Sequence, residues 1–172
     1  MPKWLDWIYI SNESKKETGM VLTPYKKEDS VELARIRNTD GVRKTYLNRR
    51  TTPDKLHDNH TRDMESKVDP WTFYTVRLDG KIIGEVGIHV LHKTRECRIP
   101  YYLDPDVHGK GYGTMLIGKV IEMCRTIKNI DKISAYVIKE NIASQRVLLK
   151  NGFKLKKVIT YPTYQYMYEY KL

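Results

Sequence analysis

Tyr101-Tyr-Leu-Asp-Pro-Asp-Val-His108-Gly-Lys-Gly-Tyr-Gly-Thr114 is the stretch on which the reading of this chain turns, because it joins a strand to a helix through three alternating glycines. With no Cβ in the way, Gly109, Gly111 and Gly113 let the backbone curl closely around an anion. The helix that follows would bring free amides and the positive end of its dipole to the same place, which suits a pyrophosphate. Lys110 and Thr114 add a charge and a hydroxyl donor. Taken alone, the glycines fit a tight strand-to-helix turn better than a ligand site. Their spacing also excludes the two commoner nucleotide loops. The Rossmann pattern needs Gly-x-Gly-x-x-Gly, and the Walker loop needs Gly-Lys-Ser/Thr after a four-residue gap.

Outward from the loop, Gly111 to about Lys128 reads as an amphipathic helix, with Leu116, Ile117, Val120, Ile121 and Cys124 on one face. Lys132 to Ile138 reads as a strand, Asn141 to Asn151 as a short helix closed by Gly152, and Phe153–Thr160 and Tyr164–Lys171 as two last strands. The tyrosines of the last strand alternate as in a two-faced strand. On the other side of the loop, Glu96 to Leu103 is one strand. Trp71–Leu78 and Lys81–Leu91 form a hairpin about Asp79–Gly80. Earlier still come a strand at Met20–Pro24, a helix opening at Glu28–Asp29–Ser30 and a second from Thr52–Pro53 to about Lys67. Residues 1–18, with Trp4, Leu5, Trp7, Ile8 and Ile10, read as an extension whose apolar side chains pack on the domain or on a second copy, so a homodimer is admissible.

The 172 residues fit one α/β domain spanning 19–172, with 40% hydrophobic and 30% charged residues. No apolar run is long enough to cross a bilayer, and Lys3 and Asp6 interrupt any signal-like segment, so a cytoplasmic protein is expected. Cys97 and Cys124 read as small buried hydrophobes, and His57, His60 and His92 show no metal-ligand spacing, so no metal is expected. The net charge of +10 favours anionic partners. The lysines are dispersed, without the block of like charge that marks a basic arm, so nucleic acid is not the expected partner.

The loop is similar to motif A of the GNAT superfamily of N-acetyltransferases, Gln/Arg-x-x-Gly-x-Gly/Ala, with His108, Gly111 and Gly113 at its fixed positions. A second family signature, Asn-x-x-Ser/Ala followed by a helix ending in Lys-x-Gly-Phe, is matched by Asn141, Ser144, Lys150, Gly152 and Phe153. The likeness covers about residues 20–172. Tyr-Leu-Asp-Pro and Ser-x-Arg-Val-Leu lie closest to the RimJ/RimL-like branch. The resemblance implies a mixed, mostly antiparallel sheet with helices on both faces and a splayed strand pair holding acetyl-CoA. It implies transfer of acetyl to a primary amine, a protein N-terminus or a small molecule. The alternative is a catalytically weak acetyl-CoA-binding sensor.

By the same resemblance His108, Gly109, Lys110, Gly111, Tyr112, Gly113 and Thr114 would hold the pyrophosphate. The His108 backbone amide, rather than its ring, would be the ligand there. Tyr101, Tyr102 and Leu103 would bond the pantetheine arm through backbone groups, and Asn141 and Ser144 would sit near the thioester. The family's usual glutamate base is approximated by Glu96, although Arg98 occupies the usual position; Glu85 and His89 are alternatives on one face of the preceding strand. The usual tyrosine acid falls on Leu148, which leaves Ser144 to protonate the thiolate directly or through water. The positive charge argues mildly against polyamine or aminoglycoside acceptors.

Overall fold

In the computed structural model, which describes residues 19–45 and 49–172, a single sheet of eight strands carries helices on both faces. The strands are β1 (Met20–Pro24), β2 (Trp71–Leu78), β3 (Lys81–Leu91), β4 (Glu96–Arg98), β5 (Tyr101–Leu103), β6 (Lys132–Ile138), β7 (Lys154–Ile159) and β8 (Gln165–Lys171). Their order is β1-β2-β3-β4-β6-β8-β7, and β5 pairs with β3 beyond the end of β4. Every pairing is antiparallel except β4 with β6. A right-handed crossover helix is the usual way to connect parallel neighbours, and α4 (Tyr112–Arg125) occupies the β5-to-β6 connection.

The remaining helices are α1 (Ser30–Arg37), α2 (Asp40–Arg43), α3 (Pro53–Met64) and α5 (Ile142–Lys150). On one face Leu33, Ala34 and Leu56 pack together against Tyr25 and Ile82, and Ile36 and Val42 pack on Tyr102. On the other, Leu116, Ile117, Val120, Ile121 and Cys124 of α4 and Leu148 of α5 pack against Val76, Val86, Ile88, Cys97, Ile99 and Leu103. Strand alternation produces this division: neighbouring residues of β3, β4 and β5 belong to opposite faces. Both cysteines are buried and unbridged.

Several expected boundaries shift, each for a local reason. The strand expected over 96–103 is two strands, because Pro100 has no N–H to give the ladder. Its register against β3 is nonetheless the same on both sides of the break, and the Pro100 carbonyl still accepts from Gly87. The helix after the glycine loop stops at Arg125 rather than Lys128, where the Thr126 hydroxyl caps the Met123 carbonyl. The helix expected to reach Lys67 ends at Met64. The short α2 was not foreseen; Thr39 caps it. The extension 1–18 lies outside the described residues. No described helix is long and apolar enough to cross a membrane.

Candidate functional site

The site begins where β4 and β6 part. Glu96, Cys97 and Arg98 pair in parallel with Lys132, Ile133 and Ser134, and the Ile99 amide donates to the Ser134 carbonyl. Beyond that rung β5 follows β3, while β6 continues with β8 as its partner. A wedge-shaped gap therefore opens between β5 and β6. In an antiparallel pair, backbone groups alternate between facing the partner and facing away. Asp104 donates to the Ile83 carbonyl and Gly87 to that of Pro100, so Tyr102 shares the rung with Glu85. Tyr101 and Leu103 consequently direct their backbone groups into the gap.

This placement corrects the expectation for Tyr102. Its backbone faces β3, and its ring is buried on Ile36 and Val42 on the opposite face of the sheet. Leu103 contributes less than expected as well, because its carbonyl accepts from His108 Nε2 at 3.0 Å. The His108 amide, expected as a pyrophosphate ligand, donates to the Pro105 carbonyl at 3.0 Å. His108 therefore shapes the loop from within, by its ring and its backbone together.

The loop is anchored at Asp104, whose carboxylate accepts from the Asp106 amide and pairs with Arg35 of α1. A single tight turn over Pro105–Val107 follows, and then Gly109 and Gly111 take left-handed φ of +76° and +84°. A Cβ built at either would meet nothing within 4 Å, so both glycines border open space. Gly111 is also the residue before the first turn of α4, and it supplies no side-chain cap. The first intrahelical bond is Met115 to the Gly111 carbonyl. The amides of Tyr112, Gly113 and Thr114 thus have no partner within the helix, the usual condition of a helix N-terminus. Lys110 bonds the Asp106 carbonyl from the exposed outer side. Gly113 allows α4 and α5 to approach: a Cβ there would lie 3.0 Å from Val147 Cγ2.

Opposite the loop, Asn141 caps α5 by accepting the Ser144 amide at 3.1 Å. The Ser144 hydroxyl meets the Tyr101 hydroxyl at 2.8 Å, which links β5 to α5 across the gap. Burial pushes the Tyr101 phenol up to about 12 against the lowering effect of its bond to Ser144, so it stays protonated across the physiological range. The sequence reading overlooked this side chain. The position expected to carry a tyrosine is Leu148, fully buried in the core. A hydroxyl from Tyr101 reaches Ser144 from the strand instead, and only the alternation that puts Tyr101 on the α5 face hinted at it.

On the other face of the sheet, at the head of the gap, lie Glu96, Arg98, Ser134 and Tyr136. Glu96 is buried and accepts from Arg98 Nε at 2.7 Å and from the Ser134 hydroxyl at 3.0 Å, with Lys132 at 3.9 Å. Burial works against its charge, but the bonds from Arg98 and Ser134 and the charges of Arg98 and Lys132 outweigh it. The carboxyl is held below its ordinary value. The two alternatives lie further along β3. Glu85 is buried, 2.6 Å from His60 Nε2, and His60 stacks on Phe73 at 3.8 Å. His89 stacks on Trp71 at 4.2 Å, and burial lowers its imidazole below the ordinary value. The His60–Glu85 pair carried no sequence signal, since 25 residues separate the partners. Among the described residues no group of His, Cys, Asp and Glu could hold a metal ion.

The gap, the glycine loop and the α5 cap form one cleft, and residues 20–154 match the family model of the acetyltransferase (GNAT) domain. The chain belongs to the GNAT acetyltransferase family. Over 95 residues it is 36% identical to the uncharacterized N-acetyltransferase YoaA of Bacillus subtilis (strain 168). That match takes in 54% of this chain and 51% of YoaA, so it spans about half the length of the relative.

Among solved structures, this GNAT chain is similar in fold to the spermidine N-acetyltransferase of Vibrio cholerae, solved with CoA and spermine. The TM-score is 0.79 at 16% identity, over 89% of this chain and 95% of the other. It is similar also to AAC(6')-Ib with an aminoglycoside and acetyl-CoA, with a TM-score of 0.77 at 18% identity over 89% and 93% of the two chains. RimL, the ribosomal L7/L12 alpha-N-protein acetyltransferase solved with CoA, gives 0.77 at 14% identity over 92% and 97%. At these identities the likeness is one of fold.

Proposed function

We propose that this chain is an acetyl-CoA-dependent N-acetyltransferase of RimJ/RimL-like type, working in the cytoplasm on a primary amine. The observation that carries this reading is the join of an uncapped α4 N-terminus, bordered by open space at Gly109 and Gly111, to a gap between β5 and β6. In this reading the amides of Tyr112, Gly113 and Thr114, with those of the Gly109–Gly111 turn and Lys110, hold the pyrophosphate. Tyr101 and the Leu103 amide bond the pantetheine arm. The solved relatives that bind CoA or acetyl-CoA support the assignment by fold.

The reaction is attack of a neutral amine nitrogen on the thioester carbonyl. The C–S bond breaks as the new C–N bond forms, and the sulfur takes up a proton. Holding the two reactants in the cleft supplies most of the acceleration. Tyr101, protonated and bonded to Ser144, is the acid for the departing sulfur, and Ser144 relays a proton from solvent back to it while the proton taken from the amine returns to solvent. Asn141 positions Ser144 by capping α5. Glu96 is the base, taking the amine proton directly or through water at Oε2, since Arg98 and Ser134 both bond Oε1.

The hydroxyl pair at the gap favours an enzyme over a sensor. Incubating the protein with acetyl-CoA and a panel of primary amines, N-terminal peptides included, should release free CoA detectable by a thiol reagent. The acetylated product should appear by intact mass. Binding of CoA without product across the panel would select the sensor, and no CoA binding by calorimetry would overturn the reading as a whole.

A further inference from the structure

Arg98 lies at the head of the gap, on a sheet face from which an amine could reach a thioester held in the gap. It occupies the last rung before β4 and β6 part, with His89 beside it on β3 and Ser134 beside it on β6. Alternation puts it on the face opposite the glycine loop. Its Nε is clamped to the buried Glu96 carboxylate, which is itself held by the Ser134 hydroxyl. Its guanidinium carbon lies 5.4 Å from the centroid of the Tyr136 ring. The side chain remains 42% exposed, and among the described residues its hydrogen bond uses Nε, not the terminal nitrogens. A guanidinium fixed at one nitrogen and over a ring, with its terminal N–H groups turned outward, is preorganised for a planar anion.

The surroundings agree with that polarity. Of the carboxylates on this sheet face, Glu96 and Glu169 are largely buried and offset by Arg98, Lys132 and Lys156, and Glu85 is buried against His60. On the β3 side the wall is the Trp71–His89 stack, whose imidazole is kept neutral by burial, and on the β6 side it is the half-exposed Tyr136. Around Arg98 itself a polycation would meet Lys132 and the rings of Tyr136 and His89, while Asp63 and Asp69 act on the far side of the His89 stack. The overall charge of +10 adds a long-range field of the same sign.

We infer that Arg98 determines acceptor specificity by binding a carboxylate carried near the acceptor amine, so that the substrate is an amino acid or a peptide with an acidic N-terminal end. This rests on the acetyltransferase reading given above. Glu96 thereby has a second duty, fixing the Arg98 fork.

The test compares matched acceptors with acetyl-CoA: free amino acids against their amides, and peptides beginning Asp or Glu against Asn or Gln. The first pair asks for an α-carboxylate, the second for a side-chain carboxylate. In the wild-type protein one charged set should exceed its neutral partner at least tenfold in kcat/KM, and spermidine should be poorer still. Arg98→Gln should shrink that preference to less than threefold, chiefly through KM, and Arg98→Lys should not restore it. A CoA titration of each variant reports that the fold and cofactor site persist. Equal rates on charged and neutral acceptors, or a preference that survives in a CoA-binding Arg98→Gln variant, would overturn the inference and leave the acetyltransferase standing. So would failure of every carboxylate-bearing acceptor with a protein that binds CoA. Loss of CoA binding in the wild type would instead remove the reading beneath it.

Discussion

The placement of the cofactor rests on Gly111, and replacing it separates strain from electrostatics. Gly111 sits at φ +84° with open space where a Cβ would go. Asn and Asp are the side chains that best tolerate this region, and both incur a similar strain, about 1 kcal/mol or less. For a chain of this size that is a fall in Tm of roughly 2–4 °C. Gly111→Asn and Gly111→Asp are nearly equal in volume, so the difference between them is one negative charge at the end of α4. If the pyrophosphate lies there, a carboxylate about 4 Å from its nearer phosphate repels that one charge by about 4 kcal/mol at an effective dielectric of ~20. That separation is inside the ~8 Å Debye length of physiological salt. The Asp variant should therefore bind CoA about three orders of magnitude more weakly than the Asn variant. Calorimetric titration measures both affinities, and thermal melts confirm that the two proteins are equally folded. Equal affinity of the two variants would refute the placement, since no site at these amides could be indifferent to the charge.

Three further substitutions probe the rest of the cleft. Tyr101→Phe removes the hydroxyl bonded to Ser144 and should lower kcat by at least about tenfold with the KM for acetyl-CoA little changed; general acid catalysis is commonly worth ~10²–10⁴. An unchanged kcat with a fast chemical step would remove Tyr101 from the mechanism. Glu96 has a depressed folded pKa, so its pairing contributes stability that is complete above the ordinary carboxylate value near 4.5 and is lost as pH falls through the lower folded value. Glu96→Gln should be less stable than wild type near neutral pH, and urea melts should show the difference closing as pH falls below the ordinary carboxylate value; a constant difference would contradict the assigned pairing. His60→Leu leaves the buried Glu85 carboxyl without its 2.6 Å partner and should cost at least about 1–3 kcal/mol. Adding Glu85→Leu should recover part of that loss in the same urea assay, and strict additivity of the two changes would show the pair to be uncoupled.

What the chain shows without its structure divides along a physical line. The loop from Tyr101 to Thr114 was legible because its behaviour is local. Glycine spacing, a helix start and a hydrophobic periodicity are properties of neighbouring residues, and the left-handed Gly109 and Gly111 follow from them. The cap of α5 by Asn141 is local in the same sense. Tyr101 and Ser144 are 43 residues apart, Glu96 and Ser134 are 38, and His60 and Glu85 are 25. No spacing rule reaches that far. Glu96 and Ser134 meet through the parallel register of β4 and β6, whereas Tyr101 with Ser144 and His60 with Glu85 meet where a helix packs on a sheet face. His108 belongs between the two classes: its place in the loop was readable, but the ring bond to Leu103 depends on how sharply Pro105–Val107 turns. Pro100 is the instructive case. Its missing N–H breaks the strand at the level where β6 leaves it, so a residue that reads as a minor defect in a strand marks the mouth of the cleft. The cofactor side of the protein is written in consecutive residues, and the acceptor side in register. For that reason the acceptor proposed above rests on Arg98 standing between His89 and Ser134 with Glu96 holding its inner nitrogen, an arrangement that only the register reveals.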